Sequence, residues 1–215
     1  MHELDALCRA CIDDVQVDGG GVSLTTGQGF SGTAWVSDDL ARHLEDLQFV
    51  LGEGPCVDAV SSGRPVLEPA LAVNNGDALQ RWPAFTPGAV EAGVQAIFGL
   101  PLMVGSTNLG AFDLFRRSPG PLTEQQFDHA LAVAKAASTV LLKLEITESR
   151  VGPDTDAAYH WTVHQAAGMV SQQLRIDVDQ ALLKLRAAAY SEERSIDSLA
   201  ADVVARRRRF TQEDT

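Results

Sequence analysis

Three short amphipathic helices are predicted one after another at the C-terminal end of the chain, over residues 159–174, 178–190 and 195–210. Asp177 and Ser195 stand where the N-caps of the second and third helices are expected. None of these helices can bury its narrow apolar stripe alone, so we expect them to pack as a three-helix bundle. The stripes consist of Val163, Ala167, Val170 and Leu174, then Ala181, Leu182, Leu185, Ala188 and Ala189, then Ile196, Leu199, Ala200, Val203 and Val204.

The preceding residues alternate between helical and strand patterns. A helix is predicted over 2–15, strands over 21–25 and 33–36, and a helix from the cap Ser37 to about residue 47. The turn GEGPC (52–56) leads into a short helix that Pro55 opens. Beyond it, RPVLEPAL (64–71) is typical of an edge strand, NNGDALQRWPAF (74–85) of a surface loop, and residues 84–92 of a short helix.

The clearest sheet signal is a hairpin of two apolar strands, GVQAIFGLPLMV (93–104) and NLGAFDLFRR (108–117). Thr123 and Gln126 form a capping box that opens a long helix from Glu124 to about Glu148. The segment VGPDTD (151–156) then predicts a linker. We therefore expect an α+β domain at 1–150, with helices against an antiparallel sheet, a linker at 151–158, and an all-α three-helix domain at 159–210.

Length and composition suit an ordinary globular protein. The chain has 215 residues, of which 45% are hydrophobic and 21% are charged, enough for one large or two small domains. No apolar run approaches the ~20 residues that cross a bilayer. The acidic, amphipathic start resembles neither a secretory signal nor a transit peptide, so we expect a cytoplasmic protein.

Charge is distributed unevenly along the chain. The formal net charge is −12, which argues against a nucleic-acid partner. Residues 154–215, however, carry ten acidic and eight basic side chains, and four of the basic ones stand together at 206–209. Because phosphate contact needs local positive charge, this balance weakens a nucleic-acid function without excluding it.

The three cysteines do not form a closed disulfide framework, which suits a reducing compartment. Cys8 and Cys11 share one face of the first helix, where core packing is favoured over metal or redox chemistry. Cys56 follows a turn at a helix N-terminus, a place that lowers the pKa of a thiol. Both a redox or covalent-sensor role and a buried structural thiol are open for it.

Residues 16–145 resemble a GAF domain, specifically the type that precedes an ANTAR domain in actinobacterial proteins. The resemblance is carried by LQFVLGEGPCVDAV (47–60), RWPAF (81–85), GVQAIFGLPL (93–102) and LGAFDLF (109–115). It implies a sensor that holds a small-molecule ligand between sheet and helices. The cyclic-nucleotide signature N-K-x-F-D-E is not found, which disfavours that ligand class. The aromatic side chains that either line such a pocket or fill the core are Trp82, Phe85, Phe98 and Phe112.

The C-terminal segment resembles an ANTAR domain, an RNA-binding three-helix module of bacterial signalling proteins. The resemblance lies in Ala166 and Gly168 of the first helix, followed by Ala181, Leu185, Arg186, Arg194 and Ala200. It implies a homodimer that binds twin RNA stem-loops with hexanucleotide loops and favours transcription antitermination. Two positions depart from the family pattern, since Ala167 stands where many members have Lys and Ser171 where they often have Met.

Carried over by position, the resemblance places RNA contacts on two groups of residues. The arginines Arg186 and Arg194 are suited to phosphates or bases, because a guanidinium both stacks and donates forked hydrogen bonds. The run Arg206–Arg209 could add to them. The loop-facing residues are Gln165, Ala166, Ala167, Gly168, Met169 and Ser171.

Each of these assignments has a structural alternative. The small residues 166–168 equally suit a close helix–helix contact, and Arg186 equally suits an ion pair with Asp179 or Glu193. Arg206–Arg209 is typical of a solvated helix end that interacts favourably with the helix dipole.

No nucleotide-binding glycine loop, nucleophile elbow or cluster at metal-ligand spacing is present in the sequence. We therefore expect no enzyme activity, cofactor or metal. The long helix 124–148 is expected to pair with its twin in a homodimer. The alternative function is a sensor whose C-terminal helices bind a protein partner without RNA. RNA binding requires that Arg186, Arg194 and the run 206–209 share one exposed face.

Overall fold

The computed structural model describes residues 2–26, 29–71, 76–148, 161–192 and 194–211, which we call the described residues. Among them, no helix combines the length and the apolar character needed to cross a membrane. The predicted linker at 151–158 lies outside the described residues.

Five strands form one antiparallel sheet. They are β1 (Gly19–Thr26), β2 (Gly29–Val36), β3 (Val66–Glu68), β4 (Ala96–Val104) and β5 (Thr107–Arg116), in the order β2-β1-β5-β4-β3. The predicted hairpin is confirmed, because β4 and β5 pair from Ala96↔Arg116 to Val104↔Thr107. Gly105 takes the left-handed conformation at its turn, with φ of 61°. The predicted edge strand is also confirmed, since β3 lies at one end of the sheet formed by the described strands, next to β4.

Helices cover both faces of the sheet. On one face, α1 (His2–Val15) packs with α6 (Glu124–Glu148) against β4 side chains such as Phe98, Leu100 and Leu102. Cys8 and Cys11 are buried in this cluster, as the core-packing alternative predicts. The other face carries α2 (Asp39–Leu51), α3 (Pro55–Ser62), α4 (Asp77–Arg81) and α5 (Phe85–Glu91). Because successive side chains of a strand point to opposite faces, the one sheet contributes to two apolar cores.

Two predictions of helix caps have clear outcomes. The capping box is confirmed, because Thr123 N donates to Gln126 Oε1 at 2.9 Å and Gln126 N donates to Thr123 Oγ1 at 3.2 Å. Ser37 as the cap of α2 is wrong. Asp38 holds that position and accepts from Ala41 N at 2.8 Å, because a carboxylate is an equally good cap.

The prediction of a surface loop over 74–85 is wrong in part, because α4 lies within it. Its burial explains the helix. Ala78 and Trp82 are buried against the helices of this face. Tertiary packing therefore stabilises a short helix that its local sequence does not predict. Residues 72–75 are outside the described residues.

Beyond α6, the chain forms α7 (Trp161–Leu174), α8 (Val178–Ser191) and α9 (Ile196–Val204), which we call the C-terminal helices. The predicted caps are confirmed, since Asp177 accepts from Gln180 N and Ser195 accepts from Ser198 N. These helices share one apolar cluster, and its members include the fully buried side chain of Phe49 from α2. The C-terminal helices therefore pack against α2 as well as against one another.

Candidate functional site

The predicted RNA-contact segment of α7 has an exposed side and a buried side. Gln165 is exposed, whereas Ala166 and Ala167 are fully buried in the cluster of the C-terminal helices. The two alanines thus allow the close helix packing that the sequence left open as an alternative.

Gly168 differs from its alanine neighbours. Apart from the helix's own backbone, a Cβ atom at this position would meet no atom of the described residues within 4 Å, so packing among them does not require glycine here. Glycine inside a helix costs roughly 0.8–1 kcal/mol relative to alanine. The exposed side chains Gln165 and Gln172 lie one turn before and after it on the same helix face. The exposed face of α7 therefore has two glutamine side chains with an open space between them at Gly168.

The remaining residues of the segment have local contacts. Met169 is half-buried and packs at the edge of the apolar cluster. Ser171 is 9% exposed, and its hydroxyl donates to the carbonyl oxygen of Ile176 at 2.6 Å. That bond fixes the turn between α7 and α8.

Arg186 lies where α8 meets α2. Its Nε and Nη2 both donate to the carbonyl oxygen of Phe49, the first at 2.9 Å, and its guanidinium stands 5.5 Å from the Phe49 ring centroid. Burial lowers the pKa of Arg186 to about 10, and Asp179 partly opposes that effect, so the side chain stays charged at neutral pH. The Arg186 guanidinium is also close to Gly52, where a Cβ atom would meet Nη1 at 2.8 Å.

A cavity of about 340 Å³ opens beside this contact. It lies between α2 and α3 on one side and α8 on the other, and Arg186 contributes to its wall. Its lining includes Gln48, Cys56, Val60, Asp179 and Leu182.

Arg194 belongs to a different environment. Its Nη2 contacts Asp202 Oδ2 at 2.5 Å and donates to Ser198 Oγ at 2.9 Å. Arg207 also contacts Asp202, at 2.8 Å, and Arg208 contacts Glu192 at 3.4 Å. Arg194 and part of the 206–209 run thus surround two carboxylates, while Arg186 faces α2. In this arrangement the arginines do not share the one exposed face that RNA binding is expected to require.

Cys56 is fully buried at the first turn of α3. Burial raises the pKa of this thiol well above its usual range, and the nearby Asp113 and Glu45 carboxyls raise it further. These effects outweigh the lowering of the thiol pKa that is expected at a helix N-terminus. The thiol Sγ lies 2.8 Å from Ser23 Oγ, so the buried-thiol alternative describes its environment.

Sequence reasoning missed the residues around this thiol. Glu45 and Asp113 are 1% and 4% exposed and lie beside Cys56. One signal was present, because Asp113 interrupts the otherwise apolar strand LGAFDLF. A charged residue within a buried strand is rare unless it has a partner.

Comparison with solved structures assigns the fold. A domain from a protein described as a two-component sensor histidine kinase of Sinorhizobium meliloti 1021 matches 70% of this chain and 97% of its own, with TM-score 0.54 and 14% identity. The GAF domain of an Acinetobacter phosphoenolpyruvate-protein phosphotransferase matches 68% of this chain and 84% of its own, with TM-score 0.50 and 14% identity. A GAF domain/HD domain protein from Geobacter sulfurreducens matches 67% and 93%, with TM-score 0.50 and 14% identity.

The five-stranded sheet with its flanking helices has the GAF fold. No protein-family model matches the chain, and no curated protein matches it either. The structural likeness is therefore one of fold, carried by the sheet and α1–α6, which we call the GAF unit.

The four aromatic side chains considered as pocket lining fill the cores of the GAF unit. Trp82, Phe85, Phe98 and Phe112 are at most 1% exposed and belong to its two apolar clusters. The cavity described above lies instead at the boundary between the GAF unit and α8.

Proposed function

We propose that the chain is a signal-responsive regulator that binds twin RNA stem-loops through its C-terminal helices and controls transcription termination. The GAF unit is the input and α7–α9 are an ANTAR-type output. The support is the resemblance in sequence along α7–α9 together with the GAF fold of the preceding unit. Two copies of the chain, paired along α6, present two outputs to the two loops.

The open position at Gly168 carries this proposal. A helix-interior glycine with no neighbour to accommodate is costly for folding and therefore needs another reason. Close approach of a partner to the helix backbone is such a reason. The flanking amides of Gln165 and Gln172 offer donors and acceptors to the edges of unpaired loop bases.

The contact between Arg186 and Phe49 accounts for the response to a signal. An arginine that holds the carbonyl oxygen of Phe49 is not available to an RNA phosphate. RNA binding through Arg186 therefore competes with docking of α8 on α2. A signal that moves α2 shifts this competition and so changes RNA affinity.

The proposal is tested by measuring binding of the full chain to a twin stem-loop RNA with hexanucleotide loops across a salt series. A single-loop RNA and a loop-scrambled RNA are the RNA controls. We expect loop-dependent binding that falls as salt rises, because phosphate contacts release counterions. Gly168→Leu should weaken binding at least about tenfold by filling the gap, while leucine remains a good helix residue.

Ala10→Leu is the matched protein control, because Ala10 is an exposed small residue of α1 that belongs neither to α6 nor to the C-terminal helices. It should leave RNA binding unchanged. Binding that ignores the loops, or equal affinity of the Gly168→Leu and wild-type proteins, would contradict the proposal.

A protein partner is the second candidate, and one surface of α8 favours it. Leu183 is 64% exposed and Tyr190 is 85% exposed. Together with exposed Ala187 they lie on one helix face at spacings of four and three residues. The sequence did not predict this surface, because attention to the buried stripe of the amphipathic helix 178–190 leaves the apolar residues of its other face unassigned.

Light scattering of Leu183→Ser/Tyr190→Ser against wild type tests whether that surface joins two copies of the chain. If the double variant turns a dimer into a monomer and RNA binding is absent at low salt, the protein-partner function replaces the RNA function. If the wild type is a dimer and the variant remains one, α6 is the favoured interface.

A further inference from the structure

Three potential metal ligands meet inside the GAF unit from distant parts of the sequence. Glu45 comes from α2, Cys56 from the first turn of α3, and Asp113 from the middle of β5. One ligand atom of each lies within 4.8 Å of the others, and all three side chains are buried. A tetrahedral ion with bonds of about 2.0–2.3 Å needs ligand atoms about 3.3–3.8 Å apart, so binding draws the three groups together by up to about 1.5 Å.

The Glu45 and Asp113 carboxyl groups are hydrogen-bonded to each other. Glu45 Oε2 and Asp113 Oδ1 are buried, and neither accepts a hydrogen bond from an N–H or hydroxyl donor of the described residues. No described arginine, lysine or histidine forms an ion pair with either carboxylate. Two ionised carboxylates buried side by side without a cation are strongly unfavourable, so the cluster holds either a proton or a bound cation.

The surrounding residues hold the three groups in place. Gln48 Nε2 donates to Asp113 Oδ2 at 2.6 Å, and Gln48 Oε1 accepts from the backbone N of Cys56 at 2.7 Å. Ser23 Oγ lies 2.8 Å from Cys56 Sγ. One amide therefore positions two of the three groups, which is the arrangement of outer hydrogen bonds that orients metal ligands.

We propose that Glu45, Cys56 and Asp113 together bind one divalent transition-metal ion, of the Zn²⁺ or Fe²⁺ class. The thiolate disfavours Mg²⁺ and Ca²⁺, which take oxygen ligands, and the two carboxylates disfavour Cu⁺, which takes soft ligands. Binding converts the thiol to a thiolate and releases the protons that the three groups hold, with no change of oxidation state.

The boundary cavity lies beside the cluster. Cys56 and Gln48 contribute to its lining, whereas Glu45 and Asp113 lie behind its wall. Three protein ligands with an open fourth position are typical of metal sites that bind water or an exogenous ligand. Arg186 lines the same cavity, which places the metal site next to the contact between the GAF unit and α8.

Protons are the alternative source of positive charge. Burial raises the pKa of Glu45 well above its usual range, with Asp113 adding to the effect, and burial raises the pKa of Asp113 to about 7. A metal-free cluster therefore holds protons, which a metal ion displaces. The experiment has to distinguish these two states.

The first measurement is titration of the chelator-treated full chain with Co²⁺, followed by absorbance and calorimetry. We expect one Co²⁺ bound per chain and a thiolate-to-cobalt charge-transfer band in the near ultraviolet. Zn²⁺ should displace the cobalt, abolish the band and raise the midpoint of thermal unfolding.

Variants assign the band to the cluster. Cys56→Ser should abolish it, and Asp113→Asn should lower Co²⁺ affinity by at least about 100-fold. Gln48→Ala should lower affinity by about 10–100-fold, because it positions the ligands without being one. Cys8→Ser is the matched control, since Cys8 is an equally buried thiol in α1 with its own cluster of apolar neighbours, and it should leave the band intact.

The wild-type titration decides the question even if a variant fails to fold. If the wild type shows no charge-transfer band and no metal-dependent stabilisation in excess Co²⁺ or Zn²⁺, the metal site is excluded and protons satisfy the cluster. If the band persists in Cys56→Ser and disappears in Cys8→Ser, the metal binds elsewhere and the proposal is likewise overturned. Neither result depends on RNA binding.

Discussion

The guanidinium of Arg186 donates two hydrogen bonds to the main-chain carbonyl oxygen of Phe49, 137 residues earlier in the chain. Main-chain carbonyls near the C-terminal end of a helix lack partners within the helix, and a cation there also interacts favourably with the helix dipole. One side chain of α8 thus completes the end of α2, so the two elements stabilise each other.

We expect Arg186→Ala to lower the free energy of unfolding by about 2 kcal/mol, because it removes charged hydrogen bonds and leaves the Phe49 carbonyl oxygen without its donor. Arg186→Lys should retain part of this, since an ammonium lacks the fork that places two donors on one oxygen. Urea unfolding of both variants measures the difference. Equal stability of wild type and Arg186→Ala would show that the contact does not hold α8 to α2.

Gly52→Ala provides a test of the competition between docking and RNA. The new methyl group would come within 2.8 Å of Arg186 Nη1 and push the guanidinium away from α2. We therefore expect RNA affinity to rise about fivefold or more, in the usual range of coupling between sites.

Gly63→Ala is a matched control for that variant. Both glycines end a helix in the left-handed conformation, with φ of 66° and 63°, so the backbone cost of alanine is similar. At Gly63 the methyl group would meet only Met103 Cε, at 3.9 Å. Equal RNA affinities in the two variants would argue against docking as a regulator.

Gly168→Ala should separate stability from function. The added methyl group enters open space, so we expect the free energy of unfolding to rise by about 0.5–1 kcal/mol. Thermal and urea unfolding measure this gain. A loss of stability would mean that something close to α7 requires the glycine for packing, and the argument for an RNA contact at this position would fail.

Arg194→Ala should affect RNA binding more than folding. Its ion pairs with Asp202 and Glu192 are at the surface, where such pairs contribute little. If Arg194 contacts a phosphate, the variant should bind more weakly and reduce the salt slope by about one.

Arg81→Ala is the comparison for that variant, because Arg81 is a surface arginine of the GAF unit that pairs with Asp58 at 2.7 Å. It should leave the salt slope unchanged. If both variants lower RNA affinity equally, the effect is one of net charge, and Arg194 has no specific contact.

The sequence predicts well what local physics determines. The hairpin, the capping box and the N-caps Asp177 and Ser195 all depend on residues close together in the chain, and each is confirmed. The predicted end of α2 at about residue 47 is too early, because the helix continues to Leu51 and the left-handed Gly52 ends it.

Contacts between distant segments were not predictable in the same way. Glu45, Cys56 and Asp113 meet only because α2 and α3 pack against β5, and no spacing in the sequence reports that packing. For the same reason, Arg186 was predicted as an RNA contact or a surface ion-pair partner, whereas its observed partner is a main-chain oxygen from α2. The RNA role of α7–α9 stays a prediction based on resemblance.

The burial of Phe49 has a consequence for any attempt to dissect the protein. Its ring lies inside the apolar cluster of α7–α9, although its backbone belongs to the GAF unit. Cutting the chain at the predicted linker would expose the apolar side chains of the C-terminal helices on one fragment and the Phe49 ring on the other. Phe49, together with Val50 and the Arg186 contact to the Phe49 carbonyl oxygen, therefore joins the GAF unit to the C-terminal helices.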